Sequence, residues 1–321
     1  MKISLSHGSG GLETAELIET IFIKHFQNDH TEDAAVLPFK GEKLAFTTDS
    51  FVVDPIFFPG GDIGRLAVCG TVSDLLTTGG QALYLSASFI LEESLESDAL
   101  NSIAISMREA AKEAGVQIVT GDTKVIEGDG GLYINTAGIG KAGKVHTSKV
   151  SCDDAIIVSG TLGDHHACIM SARMGIKNNI RSDVAPLSDM VSNLVKSGIA
   201  IHGFRDITRG GLATVLYEIA NARGLRADIY EASLPIAAEV KGLCQILGLD
   251  PLYMGNEGKM LVIVPQKFAE DALHIIQNSQ YGENAAIIGQ FAEGSGLVLN
   301  TKIGGQRRLS ALVGEGLPRI C

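Results

Sequence analysis

Residues 44–91, LAFTTDSFVVDPIFFPGGDIGRLAVCGTVSDLLTTGGQALYLSASFIL, decide the fold. Leu44–Val53 is apolar and β-branched and reads as a strand that ends in the polar TTDS turn. Ile63, Leu66, Ala67 and Gly70 recur at helical spacing, which predicts a helix over 63–78 whose small residues permit close packing. Ala82–Leu91 is again strand-like. Outward from this core, Ser97 is placed to cap a helix through Ala114, with Leu100, Ile103, Met107, Ala111 and Ala114 on one face and Gly115 as its stop. Val116–Thr120 and Leu132–Gly140 follow as strands. The order β-α-β-α-β-β predicts an α+β domain over residues 1–150.

A second block begins after KVHTSKVSCDD. It carries strand patterns at Ala155–Ser159, Met260–Val264, Ala285–Gly289 and Gly296–Leu299. Helix patterns fall at Asp164–Met174, Ser188–Lys196, Leu212–Ala222, Ala237–Leu247 and Gln266–Gln277. Residues 151–300 therefore read as an α/β domain and 301–321, glycine-rich and without a long periodic segment, as a mobile tail. A chain of 321 residues suits two domains of about 100–200 residues each.

Composition narrows the function. The 26 Lys and Arg against 37 Asp and Glu leave a net charge of −11, which repels phosphate backbones and anionic lipid and predicts neither nucleic-acid nor membrane partners. An acidic chain still takes a nucleotide where a metal ion bridges the two. The start, MKISLSHGSGG, has one lysine and no apolar run, so no secretory leader is expected. Five cysteines, odd in number and without a CxxC pair, form neither a disulfide framework nor a zinc site and fit a reducing cytoplasm. Glycine is over-represented: 38 residues, about 12% against a usual ~7%, clustered where turns bring backbone close to something.

The aspartates carry the chemistry. Asp33 lies in TEDAAVL, Asp49 after LAFTT, Asp74 in GTVSDLL, Asp122 after QIVTG and Asp206 in RDITRGG. Each falls where an apolar segment meets a turn or helix. Singly, such a residue is ordinary turn or cap chemistry. As a converging set they repel one another unless a cation intervenes, and hard oxygen donors without a Cys/His set point to Mg²⁺ with phosphate oxygens. In RDITRGGL, Thr208, Arg209, Gly210 and Gly211 precede a helix: either backbone N–H groups and Arg209 face an anion, or the glycines only start the helix.

Cys321 is the last residue, after Leu317-Pro318-Arg319-Ile320. The eight residues 314–321 span up to roughly 26–29 Å when extended, long enough to bring the thiol to a site in its own subunit or a neighbour and to swing out again. The adjoining carboxylate raises the thiol pKa and Arg319 opposes it.

HGSGG, EDAAVL, TTDSFVVDPIFFPGGDIGRLAVCGTVSDL, VTGDTKV, GTLGDHH, SDVAPL, RDITRGGLA, NEGK and a terminal PRIC occur in this order across residues 3–321. Together they resemble the HypE family of hydrogenase maturation factors, carbamoyl dehydratases of the aminoimidazole ribonucleotide synthetase-like superfamily. SDLLTTGG, GDHHA and the Glu32-Asp33 pair depart from the family's more usual NDLAMMGA-like run, GDHG and DD. The resemblance implies a two-domain fold whose N-terminal domains pair into a dimeric β-barrel, with ATP between the N- and C-terminal domains. It implies that Cys321 receives a carbamoyl group from the carbamoyltransferase HypF and that ATP-driven dehydration leaves a thiocyanate. The cyano group then passes to iron on the HypC–HypD complex for a [NiFe]-hydrogenase. On this reading Asp33, Asp49, Asp74, Gly121, Asp122, Thr208, Arg209, Gly210 and Gly211 bind ATP, and Asp33, Asp49, Asp74, Asp122 and Asp206 hold Mg²⁺. Glu257 of NEGK and Lys124 of GDTK are the candidates for general base and for electrostatic stabiliser or proton shuttle, and His165 and His166 orient the loop after Gly163 rather than ligate metal. Two other readings remain. One is a different ATP-using superfamily member, such as a selenophosphate synthetase, a thiamine-phosphate kinase or the purine-pathway ligase. The other is a non-enzymatic thiol carrier.

Overall fold

The computed structural model describes residues 6, 11–17, 19, 34–314 and 316–321. Glu32 and Asp33, and Gly8 to Gly10 of HGSGG, lie outside the described residues. The N-terminal domain is an open five-stranded sheet. Its strands are β1 (Ala35–Phe39), β2 (Glu42–Phe51), β5 (Gln81–Glu92), β6 (Gln117–Ile126) and β7 (Leu132–Lys141), in the order β1-β2-β7-β5-β6. Neighbours run antiparallel except β5 and β6, which are parallel. A two-stranded ribbon, β3 (Phe57–Phe58) with β4 (Gly61–Asp62), leads into the first long helix. In a single chain this sheet does not close into a barrel.

Two helices cover one face of the sheet. After the short α1 (Leu12–Leu17) comes α2 (Ile63–Thr77), started by Asp62, whose carboxylate accepts from the Gly64 and Arg65 N–H groups at 2.7 and 2.9 Å. It is buried nearly all round because it lies between this sheet and the C-terminal domain. Helix α3 (Ser97–Ala114) buries Ile103, Met107, Ala110, Ala111 and Ala114 and ends at Gly115, whose φ of 74° lets its N–H reach the Ala111 and Lys112 carbonyls. The expected cap, Ser97, is the first helical residue; Glu96 occupies the cap position without a side-chain bond.

The C-terminal domain is a seven-stranded sheet. In chain order its strands are β8 (Asp154–Val158), β9 (Gly203–Asp206), β10 (Leu225–Tyr230), β11 (Met260–Pro265), β12 (Ala286–Glu293), β13 (Gly296–Asn300) and β14 (Gln306–Leu309). They lie in the order β14-β13-β10-β12-β8-β11-β9. Both faces are covered: β8 is buried at every residue, so it reads as a continuous apolar run rather than an alternation. Its helices are α4 (Asp164–Met174), α5 (Ser188–Lys196), α6 (Gly211–Arg223), α7 (Ala238–Leu247) and α8 (Ala269–Gln277). One apolar core runs from Phe51 and Leu66 of the first domain into Ile157, Ala167 and Val262 of the second, while α6 closes a separate core on the sheet's other face. The two domains therefore share buried surface, which holds the loops between them in register.

Six strands lacked a readable pattern: β1, β3, β4, β9, β10 and β14, the last lying inside the stretch expected to be a tail. Two aspartates also lie inside strands rather than where an apolar segment meets a turn or helix. Asp49 is within β2, opposite Thr136 of β7, and Asp122 is within β6, opposite Ser88 of β5. Strand alternation explains Asp49: it shares the helix-facing side with Ala45, Thr47 and Phe51, where the space beyond it is a cavity rather than core.

Candidate active site

A cavity of about 360 Å³ opens where the two domains meet. Strand β2 contributes Thr47 and Asp49, and α2 contributes Asp74, which accepts from the Thr47 hydroxyl at 2.7 Å. The C-terminal domain contributes Asp206 from the end of β9, then Thr208, Arg209 and Glu257. Pairing of Asp206 with Met260 brings the loop after β9 and the loop before β11 to the same end of the sheet. Asn256 ties these loops together. Its amide donates to the Ile207 and Met254 carbonyls at 3.0 and 3.1 Å and accepts from the Gly163 N–H at 2.7 Å. The Asp183 carboxylate takes the Glu257 and Gly258 N–H groups, each at 3.2 Å, with Lys259 at 3.7 Å.

Cys321 completes the lining. The chain end is docked, only 9% exposed at Cys321 and 5% at Ile320. Its main chain lies along residues 52–54: the Val52 N–H donates to the Cys321 carboxyl oxygen at 2.9 Å and the Asp54 N–H to the Arg319 carbonyl at 3.1 Å. Arg319 returns a bond from Nε to the Val52 carbonyl at 2.9 Å and lies over the Tyr133 ring. His165, fully buried, bonds the Ile320 carbonyl through Nε2 at 2.7 Å. A carbonyl only accepts, so Nε2 carries the proton and Nδ1 accepts from the Ser182 hydroxyl, 2.7 Å away. Burial lowers the His165 pKa and keeps this neutral form. Ser182 is itself fixed by the FFPGG turn. Gly60 has φ +99°, and a Cβ there would stand 2.7 Å from the Ser182 carbonyl oxygen.

The electrostatics follow from this crowding. Burial pushes the Cys321 thiol up to about 12; the Glu257, Asp49 and Asp206 charges add to the rise, and Arg209 opposes it. Arg209 is raised in turn, chiefly by Cys321. The desolvation of the thiol outweighs the opposing charge of Arg209. Glu257, 5% exposed, is carried well above the ordinary carboxylate range, first by burial and then by Asp183 and Asp206. A docked, uncharged thiol is a poor nucleophile. This is a place to process a group already on sulfur, and a poor place to load one.

Of the residues expected to form the site, the fold gathers Asp49, Asp74, Asp206, Thr208, Arg209, Glu257 and Cys321 around this one cavity. Gly121, Asp122 and Lys124 stand apart on β6, exposed at the sheet edge, with the Lys124 ammonium on the Asp122 carboxylate at 2.6 and 2.8 Å. Gly210 and Gly211 have φ of 83° and 66°, and a Cβ on Gly211 would come within 2.5 Å of the Leu252 carbonyl oxygen, so backbone geometry alone requires glycine at Gly211. Asp33 lies outside the described residues. Arg173, Asp183, Ser182 and Asn256 had no assigned role in the sequence reading; GTLGDHH, SDVAPL and NEGK contain or adjoin all but Arg173, which had no local signal. His165 does orient a segment, and the segment is the tail. Cys69 is fully buried in α2 and pushed up to about 12 by that burial, so it offers no second reactive thiol.

Among the described residues no three His, Cys, Asp or Glu side chains form a ready-made metal cage. The donor set nevertheless suits Mg²⁺, which takes one or two carboxylates and completes its shell with phosphate oxygens and water. Asp49 and Asp74 from the N-terminal domain and Asp206 from the C-terminal domain line the cavity and supply such carboxylates.

Comparisons with known proteins match this architecture. Residues 31–142 match the AIR synthase related protein N-terminal domain and residues 152–302 its C-terminal domain. The chain is 45% identical over 335 residues to "Carbamoyl dehydratase HypE" of Rhodobacter capsulatus, covering 100% of this chain and 98% of that protein. It is similar to a HypE crystal structure in complex with ATP, at TM-score 0.84 and 43% identity over 100% of both chains. A chain of a HypE–HypF complex superposes at TM-score 0.87 with 44% identity, over 92% of this chain and 99% of that one.

Proposed function

The chain belongs to the HypE carbamoyl dehydratases of the AIR synthase-related family, ATP-dependent enzymes of hydrogenase maturation, and we propose that it dehydrates a carbamoyl group carried on its own Cys321 to a thiocyanate. The observation that carries this reading is the docked Cys321, which shares one cavity with Glu257, Arg209, Asp49 and Asp206.

The reaction joins a thiocarbamate, S–C(=O)–NH₂, and ATP, and yields S–C≡N, ADP, phosphate and one proton. The carbamoyl oxygen is a poor leaving group as such. Attack of that oxygen on the γ-phosphorus breaks the bond to ADP, and the C–O bond then breaks with the oxygen leaving in phosphate. The nitrogen gives up both its protons in the process. Glu257, buried in the same cavity as the sulfur, has the proton affinity a general base needs, and Arg209 would offset the charge that develops on the transferred oxygen. Mg²⁺ held by Asp49, Asp74 and Asp206, with Asp33 and Asp122 as the further candidates, would neutralise phosphate charge and lower the Glu257 pKa. Thr208 and the Gly210–Gly211 turn line the approach of the phosphates.

Asp122 and Lys124 enter the site only if a second copy supplies them. Strand β6 supports that: Val119, Val125 and Ile126 are 57%, 65% and 45% exposed on an edge strand with unpaired backbone groups, and Phe46, Tyr84 and Ile139 lie bare on the sheet's outer face. Two such sheets, edge to edge, form the expected dimeric barrel. Loading requires the tail to leave, since the docked thiol is both covered and uncharged. The mobile tail, a carbamoyl donor such as HypF, and a HypC–HypD acceptor in the cytoplasm complete the proposal. Carbamoylated protein given ATP should release one phosphate per Cys321; loaded protein that binds ATP without releasing phosphate would make the chain a carrier instead.

A further inference from the structure

We propose that Arg173 is a positioning residue that latches the tail in the cavity through its main chain, dividing the time of Cys321 between dehydration inside and loading outside; the inference rests on the reading of Cys321 above. Arg173 stands in the last turn of α4. Its Nε donates to the Asp54 carbonyl at 2.6 Å, and its two Nη groups donate to the Pro318 and Arg319 carbonyls. One guanidinium thus bridges the N-terminal domain, the C-terminal domain and the tail.

The last four carbonyls of the chain are all held. Arg173 takes those of Pro318 and Arg319, the Asp54 N–H shares that of Arg319, His165 takes that of Ile320 and the Val52 N–H takes that of Cys321. None of these bonds involves the sulfur, so the latch holds a loaded and an empty tail alike. It is also built to let go. Arg173 is only half-buried, and its donors pass to water when the tail leaves. Burial lowers the Arg173 pKa, Asp54 opposes the shift and the neighbouring Arg319 guanidinium adds to it. His165 opposes release, since its buried N–H loses its acceptor until water enters.

The test uses full-length Arg173→Gln and Arg173→Lys proteins. The first readout is the rate at which iodoacetamide alkylates Cys321 without ATP, followed by mass on the C-terminal peptide, with exposed Cys152 as internal reference. The second is the single-turnover rate of thiocyanate formation from pre-carbamoylated protein. Loss of two charge-assisted bonds to the tail should raise Cys321 alkylation by about tenfold and slow dehydration by a similar factor. The lysine variant, which reaches fewer carbonyls, should fall between. Unchanged alkylation, or a parallel fall of both rates, overturns the latch. If the glutamine variant also exposes the buried Cys69, Cys168 and Cys244 to alkylation it has lost its fold, and the lysine variant decides. Faster alkylation together with no thiocyanate from the wild type would uphold the latch and refute the dehydratase reading.

Discussion

The two parts of the candidate site contrast sharply. The cavity around Cys321 is finished within one chain: its carboxylates, Arg209 and the tail are set by loops that a shared core and Asn256 hold in register. The β6 segment with Gly121, Asp122 and Lys124 is unfinished, exposed along its whole length and, among the described residues, paired with no strand but β5. A finished cavity that covers its own thiol suits a chemical step isolated from water. A bare edge strand carrying an acid and a base suits assembly. On the proposed reading, one chain positions the reacting sulfur and a second copy at the bare edge completes the site.

The predictions separate these parts. Cys321→Ala should abolish carbamoyl acceptance and thiocyanate formation altogether while nucleotide binding, measured by calorimetry, persists; thiocyanate formed elsewhere on the chain would break the comparison at its strongest point. Glu257→Gln should cut single-turnover dehydration by about 10²–10⁴-fold, the usual scale for a general base. It should also stabilise the unliganded fold. Burial raises the Glu257 pKa in the folded chain, so above the ordinary carboxylate value the unfolded chain ionises and the folded one resists. The gap in favour of the glutamine variant should therefore widen by up to about 1.4 kcal/mol per pH unit as pH rises from that value toward the folded pKa. A gap in unfolding free energy that is flat or narrows with pH would show that Glu257 is not strained.

A charge on the edge acts on the other part alone. Val125→Asp should leave a monomer by sedimentation and reduce dehydration by about tenfold or more, because a charged edge strand resists pairing. Cys321 should stay as protected from alkylation as in the wild type. Exposure of Cys321 in that monomer would mean the cavity is not self-contained. The Arg173 variants give the smallest effect, about tenfold, with opposite signs for loading and dehydration.

Much of this was legible in the residues. Helical spacing marked α2 and α3 because their buried faces are long and apolar. Ordered motifs also mark Asp49, Asp74, Asp206, Arg209, Glu257 and Cys321, which the fold brings to one cavity. What escaped has physical reasons. Strands β9 and β14 are only four residues long at sheet edges, and the arginines of GFRD and QRRL blur an apolar alternation there. Strand β6 runs on to Ile126 through the polar GDTK because an exposed edge strand needs no apolar face. TTDS read as a turn, since a polar residue on the inner face of β2 is explained only by the cavity beyond it. The docked tail was least legible. Glycine and proline spoke for mobility, while the docking uses main-chain carbonyls, which every sequence possesses and no side-chain pattern announces.

The central claim is that Cys321 carries the group that is dehydrated. Intact-mass analysis of the C-terminal peptide, before and after a carbamoyl donor and again after ATP, tests it most directly. The account predicts that the peptide ending in Cys321 gains one carbamoyl group and then loses one water, with phosphate released in equal amount. A carbamoyl group that settles on another residue, or one that stays on Cys321 intact while ATP is consumed, would contradict it.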